Sequence, residues 1–274
     1  MAKRLKGVTA KRQENWYVNH LDSYENALRI YEPFWRTDDL RSTGIKVKIP
    51  HFQKTSRVVH LLSLNELWMY LHLARNPQVV EIYEQYAIPL EISLAAAEFL
   101  EVKHPVYVGT NVYAIQTIDF VVDMLDFETG EIFKKAIPVK QPKDAQKYRT
   151  AEKLAIQETS ADMEEMQYQL ITSEVLRTNC SVNLEILYRY RKLPFVLNKV
   201  SRRFLNNFFG ELFDARHERA ADLIERSCSA TGIDYNTGIS IFYNALWHKR
   251  VEMDWTKLLR LEMAASDLGI QPSD

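Results

Sequence analysis

Asp119 and Lys140 are the residues of this sequence whose types and spacing best suit chemistry on a phosphodiester. A carboxylate is a hard oxygen ligand for Mg²⁺, and a nearby ammonium group can orient an attacking water or stabilise charge on a phosphate. An Asp and a Lys on adjacent strands also form ordinary surface ion pairs, which contribute little to stability. Taken alone, the pair is compatible with either interpretation.

A predicted β-hairpin brings these two residues together. Residues 117–122 and 136–140 are rich in β-branched and apolar side chains, and a polar, glycine-containing turn at 126–131 separates them. A turn centred near residues 128 and 129 places Asp119 opposite Pro138. Because side chains alternate between faces, Pro138 and Lys140 share one face, and the hairpin holds the carboxylate and the ammonium side by side.

Glu66 is the third candidate, and two interpretations of it remain open. It follows Ser63 by three residues at the start of a helix with apolar residues in helical spacing, the pattern of a capping box in which Glu66 accepts a backbone N–H. Alternatively, Glu66 faces the site directly or through a metal-bound water. The two roles conflict only if the cap uses the whole carboxylate.

The composition sets broad limits. The 274 residues are 46% hydrophobic and 26% charged, which predicts a sizeable core and two domains. The 35 basic and 36 acidic residues give a net charge of −1, so any DNA binding must rely on local clusters. Cys180 and Cys228 lack CxxC spacing, which argues against a cysteine zinc site. With no long apolar run and no apolar signal core, we expect a soluble, cytoplasmic protein and no membrane partner.

Strand and helix patterns alternate from about residue 45 to 175, which predicts an α/β core around a mixed sheet. No Gly-rich phosphate loop occurs, so a nucleotide-hydrolysing motor is not expected. After residue 174 the pattern becomes helical, with an expected break at Gly210 and a final helix and tail over 257–274 that are amphipathic enough to dock a partner. A helix, a turn at Gly232, a second helix and a short strand fit a helix-turn-helix or winged-helix module.

Basic residues at two places are candidates for contacts with DNA phosphates. One group follows Lys140 and the other lies near the end of a predicted helix; solvated helix ends explain the same residues equally well. The candidates are Lys143, Lys147, Arg149, Lys249 and Arg250. The basic residues of segment 1–30 suggest an arm for DNA or a partner, or a frayed terminus.

Several short blocks, in order, resemble the TnsA family, the endonuclease subunits of heteromeric cut-and-paste transposases. The resemblance covers residues 30–176 well and the remainder loosely. Its blocks are Arg57–Leu67, Glu84–Tyr86, Lys103–Val106, Thr117–Phe120 and Val139–Lys140.

The resemblance implies a restriction-endonuclease-like core at 31–176, a basic arm at 1–30, and a helical, winged-helix-like domain with a partner-binding tail at 177–274. It implies that Glu66, Asp119 and Lys140 are catalytic. Mg²⁺, with Mn²⁺ able to substitute, would be held by Asp119, Glu66 and the backbone carbonyl of Val139. The implied activity is cleavage at the 5′ ends of a transposon in double-stranded DNA. The implied partners are a TnsB-like transposase subunit, which cleaves the 3′ ends, and a TnsC-like regulator ATPase.

Pro138 departs from that family at a position where TnsA proteins usually carry Gln and related nucleases carry Glu or Asp. Proline offers no side-chain oxygen, so either backbone carbonyls complete the site or the site is impaired. Two rival functions therefore remain: a scaffold with a nuclease fold that bridges DNA and the regulator, and a restriction-type nuclease that acts alone.

Overall fold

The computed structural model describes residues 31–39, 44–54, 56–107 and 110–273. They divide into two units, one ending at Leu176 and the other beginning at Arg177. The arm predicted for residues 1–30 lies outside the described residues. In the described ranges, no helix has both the length and the apolar character needed to cross a membrane.

The first unit combines strands and helices in the alternating order expected from the sequence. Its elements are β1 (Val47–Pro50), β2 (Val58–Leu61), α1 (Leu64–Arg75), β3 (Val79–Ala87), α2 (Leu90–Phe99), β4 (Thr117–Leu125), β5 (Ile132–Ile137), β6 (Val139–Lys140), α3 (Pro142–Ala145), α4 (Tyr148–Met163), β7 (Gln167–Tyr168), β8 (Ile171–Thr172) and α5 (Ser173–Leu176).

A four-stranded mixed sheet with the order β3-β4-β5-β7 forms the centre of this unit. The β3/β4 and β4/β5 pairs are antiparallel, and the β5/β7 pair is parallel. Strand β4 lies inside the sheet, and four of its apolar side chains are fully buried: Ile118, Phe120, Val121 and Val122. The sheet is therefore mixed, as predicted, and β4 is the strand that carries Asp119 into the interior.

The β4–β5 hairpin has the predicted register. Phe120 pairs with Ile137 and Leu125 with Ile132, so the turn is centred between residues 128 and 129. The Asp126 side chain accepts the N–H of Glu128, an Asx-type contact that fixes the start of the turn. Extending this register by one residue sets Asp119 against Pro138.

Pro138 marks a change of strand partner. Before it, Ala136 of β5 pairs with Tyr168 of β7, and after it Val139 of β6 pairs with Ile171 of β8. Proline has no N–H for a sheet ladder, which explains the interruption at this position. Its carbonyl still accepts the N–H of Ile171 at 2.9 Å. The chain therefore continues past the break with Lys140 in a fixed place.

The second unit is mainly helical. Its elements are α6 (Asn179–Leu187), a 3₁₀ turn (Tyr188–Tyr190), α7 (Phe195–Ala215), α8 (Ala220–Thr231), α9 (Tyr235–Trp247), β9 (Val251–Glu252) and β10 (Gln271–Pro272), with β9 and β10 antiparallel. The expected helix break at Gly210 is wrong, because α7 runs through it. Its helical neighbours outweigh the modest cost of an interior glycine.

The final helix predicted within 257–274 is also wrong: the described residues of this segment form turns and β10. Two sets of contacts hold the segment in this form. The Asn183 side chain donates to the carbonyl of Lys257 and accepts the N–H of Leu259. Carbonyls of Leu261 and Met263 accept N–H groups at the start of α8, which lack partners within their own helix.

Gly238 provides a test of the packing between α8 and α9. A Cβ atom there would lie 2.1 Å from the Cys228 sulfur and 3.2 Å from the Phe204 ring, whereas one at Gly210 would meet nothing within 4 Å. We expect Gly238→Ala to lower the free energy of unfolding by about 1–3 kcal/mol through overpacking. Gly210→Ala should raise it by about 0.5–1 kcal/mol. Urea unfolding followed by circular dichroism measures both; equal effects would contradict the described contact.

Candidate functional site

Asp119 is the residue on which the site converges. Its Oδ2 atom accepts the N–H of Val139 at 2.7 Å and the Nζ of Lys140 at 2.6 Å. Its Oδ1 atom accepts the Nε2 of Gln85 at 3.3 Å. The sequence therefore brings Asp119 and Lys140 together as expected, and the carboxylate also binds the backbone of β6.

Glu66 has contacts of both kinds that the sequence left open, at the start of the helix and within the site. At the start of α1, the Ser63 hydroxyl accepts the N–H of Glu66 at 3.2 Å and donates to its Oε1 at 2.9 Å. The Oε2 atom accepts the N–H of Leu62 at 2.9 Å, which differs from a standard capping box by one residue. The same Oε2 accepts Nε2 of Gln85 at 3.3 Å. The cap therefore does not use the whole carboxylate, and Glu66 reaches the site.

Gln85 joins the two carboxylates. Its Nε2 atom donates to both Glu66 and Asp119, and its Oε1 accepts the Thr117 hydroxyl at 3.2 Å. From the sequence, Gln85 was included only within the block Glu84–Tyr86 and was assigned no role in the site. Gln85 lies on β3, the edge strand of the four-stranded sheet, yet it is only 3% exposed. Strand periodicity does not distinguish an amide that bridges two carboxylates from any other polar residue of a strand. The block that it forms with Glu84 and Tyr86 was the one feature of the sequence that drew attention to Gln85.

The charges of the site are strongly interdependent. Burial of Glu66, reinforced by the charge of Asp119, raises the pKa of its carboxyl group from 4.5 to about 7. Burial alone would lower the pKa of Lys140, but the charge of Asp119, their hydrogen bond and the charge of Glu66 raise it instead. Lys140 therefore stays protonated at neutral pH, whereas Glu66 is balanced between its two forms.

The proposed phosphate-binding residues near the site are exposed, and two of them have acidic partners. Lys147 forms an ion pair with Asp144 at 2.6 Å, and Arg149 pairs with Glu152. Lys143 is exposed on the short helix α3, which directly follows Lys140. All three follow the strand that carries Lys140, which is compatible with phosphate contacts beside the site.

Lys249 and Arg250 lie in the second unit, just after α9. Both are exposed, and Arg250 donates to the side chain of Asn244. They line an open cavity of about 490 Å³ together with Arg202 of α7. Within this unit, the structure groups these two predicted residues with a third cation that the sequence reading did not include.

Two comparisons bear on this site. Residues 76–173 match the family described as TnsA-like endonuclease N terminal. Over 158 residues the chain is 30% identical to the Transposon Tn7 transposition protein TnsA of Escherichia coli, in an alignment that covers 58% of this chain and 56% of that protein. The chain therefore spans little more than half the length of this relative. Gln85, Asp119 and Lys140 fall inside the family match, and Glu66 precedes it.

The oxygen atoms of this site fit a hard divalent cation. Mg²⁺ is commonly held by one or two carboxylates together with water and substrate oxygens. Glu66 and Asp119 contact the same amide nitrogen of Gln85, so their oxygens lie within about twice that contact distance of each other. In the described ranges, this site included, no three His, Cys, Asp or Glu side chains are grouped so that they could hold a metal ion, so water, backbone or substrate oxygens would have to complete the coordination. Two adjacent carboxylates in a buried place favour a proton or a cation between them.

The pKa of Glu66 gives a test of this arrangement. Since the folded-state value of about 7 exceeds 4.5, Glu66 takes up a proton on folding between these pH values, and its contribution to stability is lost as pH rises through 7. We expect Asp119→Asn to lower the pKa of Glu66 but to leave it above 4.5, because burial is the larger cause. A ¹³C carboxyl NMR titration of the metal-free protein measures this, with Glu66→Gln to assign the signal.

Asp123→Asn is the control for that titration, because it removes a charge of the same strand at a different place. It should leave the pKa of Glu66 where it is. An unchanged Glu66 value in Asp119→Asn would show that the two carboxylates do not interact.

Proposed function

We propose that this protein is a metal-dependent DNA endonuclease subunit of a transposase, which cleaves the 5′ ends of the transposon. The observation that carries the proposal is that Glu66 of α1 and Asp119 of β4 both bind the buried amide of Gln85, while Lys140 of β6 donates to Asp119. The similarity of residues 76–173 to TnsA-like endonucleases supports the same activity.

Each residue has a distinct role in this proposal. Asp119 is the main ligand of Mg²⁺, or of Mn²⁺ in its place, with Glu66 as a second ligand or a group that orients water. The carbonyl of Val139 is a further candidate, although it also accepts Nζ of Lys140 at 3.2 Å. When bound, the cation would act as a Lewis acid on the phosphate and lower the pKa of the attacking water. Lys140, kept protonated, stabilises charge on the phosphate or orients the water.

The wider assembly is also a proposal. Double-stranded transposon ends would be the substrate, a TnsB-like transposase subunit would cleave the 3′ ends, and a TnsC-like regulator ATPase would bind the C-terminal region. Lys143, Lys147 and Arg149 would hold DNA phosphates near the site, and Lys249 and Arg250 would do so in the second unit. We propose that α8, α9 and the β9–β10 ribbon act as a winged-helix-like module in the cytoplasm, where the complex would work.

A second function, favoured by Pro138, is a scaffold that bridges transposon DNA and the regulator without cutting. Pro138 has no side-chain ligand, and its carbonyl is already bonded to Ile171. In that case DNA and partner binding would remain while Asp119 would have no role in catalysis. A substitution of Asp119 would abolish cleavage if the protein is a nuclease, and would change no cleavage if it is a scaffold.

The chain provides a matched control for Asp119. Asp123 lies on the same strand and pairs with Lys134 of β5 at 2.6 Å, the same distance as between Asp119 and Lys140. With Mg²⁺ and the partner subunits, we expect Asp119→Ala to reduce nicking of 5′ ends at least 100-fold, of the order found when electrostatic catalytic groups are removed. Asp123→Ala should retain activity. Equal activity of both variants would contradict the proposed site.

Pro138→Gln tests whether the missing side chain limits the activity. If cleavage already proceeds with the original residue, the substitution should change its rate by less than about tenfold, because other oxygens complete the site. Cleavage seen only with Pro138→Gln would instead establish the scaffold function for the natural chain. Nicking assays on labelled transposon ends, with Asp119→Ala as the blank, separate these outcomes.

A further inference from the structure

We propose that Gln85 supplies the oxygen ligand that Pro138 does not, by turning its amide over when a divalent cation binds. The proposal rests on the nuclease function proposed above. It concerns a residue of β3, whereas the other side-chain groups of the site belong to α1, β4 and β6.

The backbone of Gln85 is the first observation. Its φ is +49°, in the left-handed region that non-glycine residues rarely adopt. The other described non-glycine residues with positive φ each follow the end of a helix, where this conformation is common: Glu101, Glu165 and Lys249. Gln85 alone among them lies inside a strand. Strained backbone of this kind persists where surrounding contacts enforce it, and it concentrates at functional sites.

Contacts on both sides of the strained residue hold it in place. The Tyr31 hydroxyl donates to the carbonyl of Glu84 at 2.8 Å, and the N–H of Phe34 donates to the carbonyl of Gln85 at 3.2 Å. At this unusual φ, the Gln85 side chain contacts both carboxylates. The segment at residues 31–34 therefore helps to set the position of the amide.

The hydrogen bonds of the amide make a reversal inexpensive. As described, Nε2 faces both carboxylates and Oε1 accepts the Thr117 hydroxyl. An N–H group pointing at a cation would be repelled. A half-turn about the last side-chain bond puts Oε1 towards the carboxylates and Nε2 towards Thr117. A hydroxyl both donates and accepts, so Thr117 stays bonded in either state.

The neighbouring groups explain why this oxygen is needed. Pro138 has no polar side-chain atom, and its carbonyl is bonded to Ile171. The carbonyl of Val139 accepts Nζ of Lys140. Gln85 is thus a neutral side chain that already contacts both proposed ligands and carries an oxygen that a cation can use.

Isothermal titration of the full chain with Mn²⁺, without DNA, tests the proposal apart from cleavage. Gln85→Gly relieves the strained φ, so it should fold, but it removes the oxygen; we expect Mn²⁺ affinity to fall 10- to 100-fold. Gln85→Glu keeps an oxygen and should bind Mn²⁺ at least as tightly as the original chain. Thr117→Val, which removes the partner of the turned amide, should weaken binding by a smaller factor.

Gln157→Leu is the matched control. This buried amide donates to the backbone carbonyl of Thr117 at 2.9 Å and has no described contact with either carboxylate. Its loss should lower the thermal midpoint without changing Mn²⁺ affinity. If Gln85→Gly binds Mn²⁺ like the original chain while Asp119→Ala does not, Gln85 is no ligand and the nuclease function stands. If Asp119→Ala also binds Mn²⁺ normally, or the original chain does not bind it, the metal site and the proposed function both fail.

Discussion

The hydrogen bonds that Asp119 accepts from β6 are the constraint on which this site depends. One oxygen of a single carboxylate receives both a backbone N–H, from Val139, and an ammonium group, from Lys140. Pro138 interrupts the sheet just before β6, and these contacts tie β6 to β4 beyond the interruption. The Asp119 carboxylate therefore helps to hold β6, the strand that carries Lys140, in position.

The sequence predicted the parts of the site that follow from strand periodicity. Alternation and turn chemistry gave the register that sets Asp119 against Pro138, and helix-start chemistry placed Glu66 at the first turn of α1. It could not predict the position of Gln85, which has a positive φ inside a strand and lies where the distant residues Tyr31 and Phe34 bind the backbone. Strand periodicity predicts side-chain positions only where the backbone has regular strand dihedral angles, and Gln85 has a positive φ.

The errors in the helical unit have a related cause. Amphipathic spacing suggested a helix at 257–274, but Asn183 and the free N–H groups at the start of α8 bind the backbone of that segment in another form. At Gly210 a local propensity was outweighed by the residues on either side of it within α7. In both places the structure depends on contacts or on neighbouring residues that a short sequence pattern does not include.

Glu66 accepts hydrogen bonds both at the start of α1 and inside the proposed site, so the stability of the helix start and the charge of the site depend on each other. Its Oε2 atom is shared between the N–H of Leu62 and the amide of Gln85. A ligand that draws on this oxygen competes with the cap, and by reciprocity a change that loosens the cap alters the affinity of the ligand to the same degree. The hydrogen bond from Leu62, one residue beyond β2, is therefore coupled to ligand binding and to the charge of the Glu66 carboxylate.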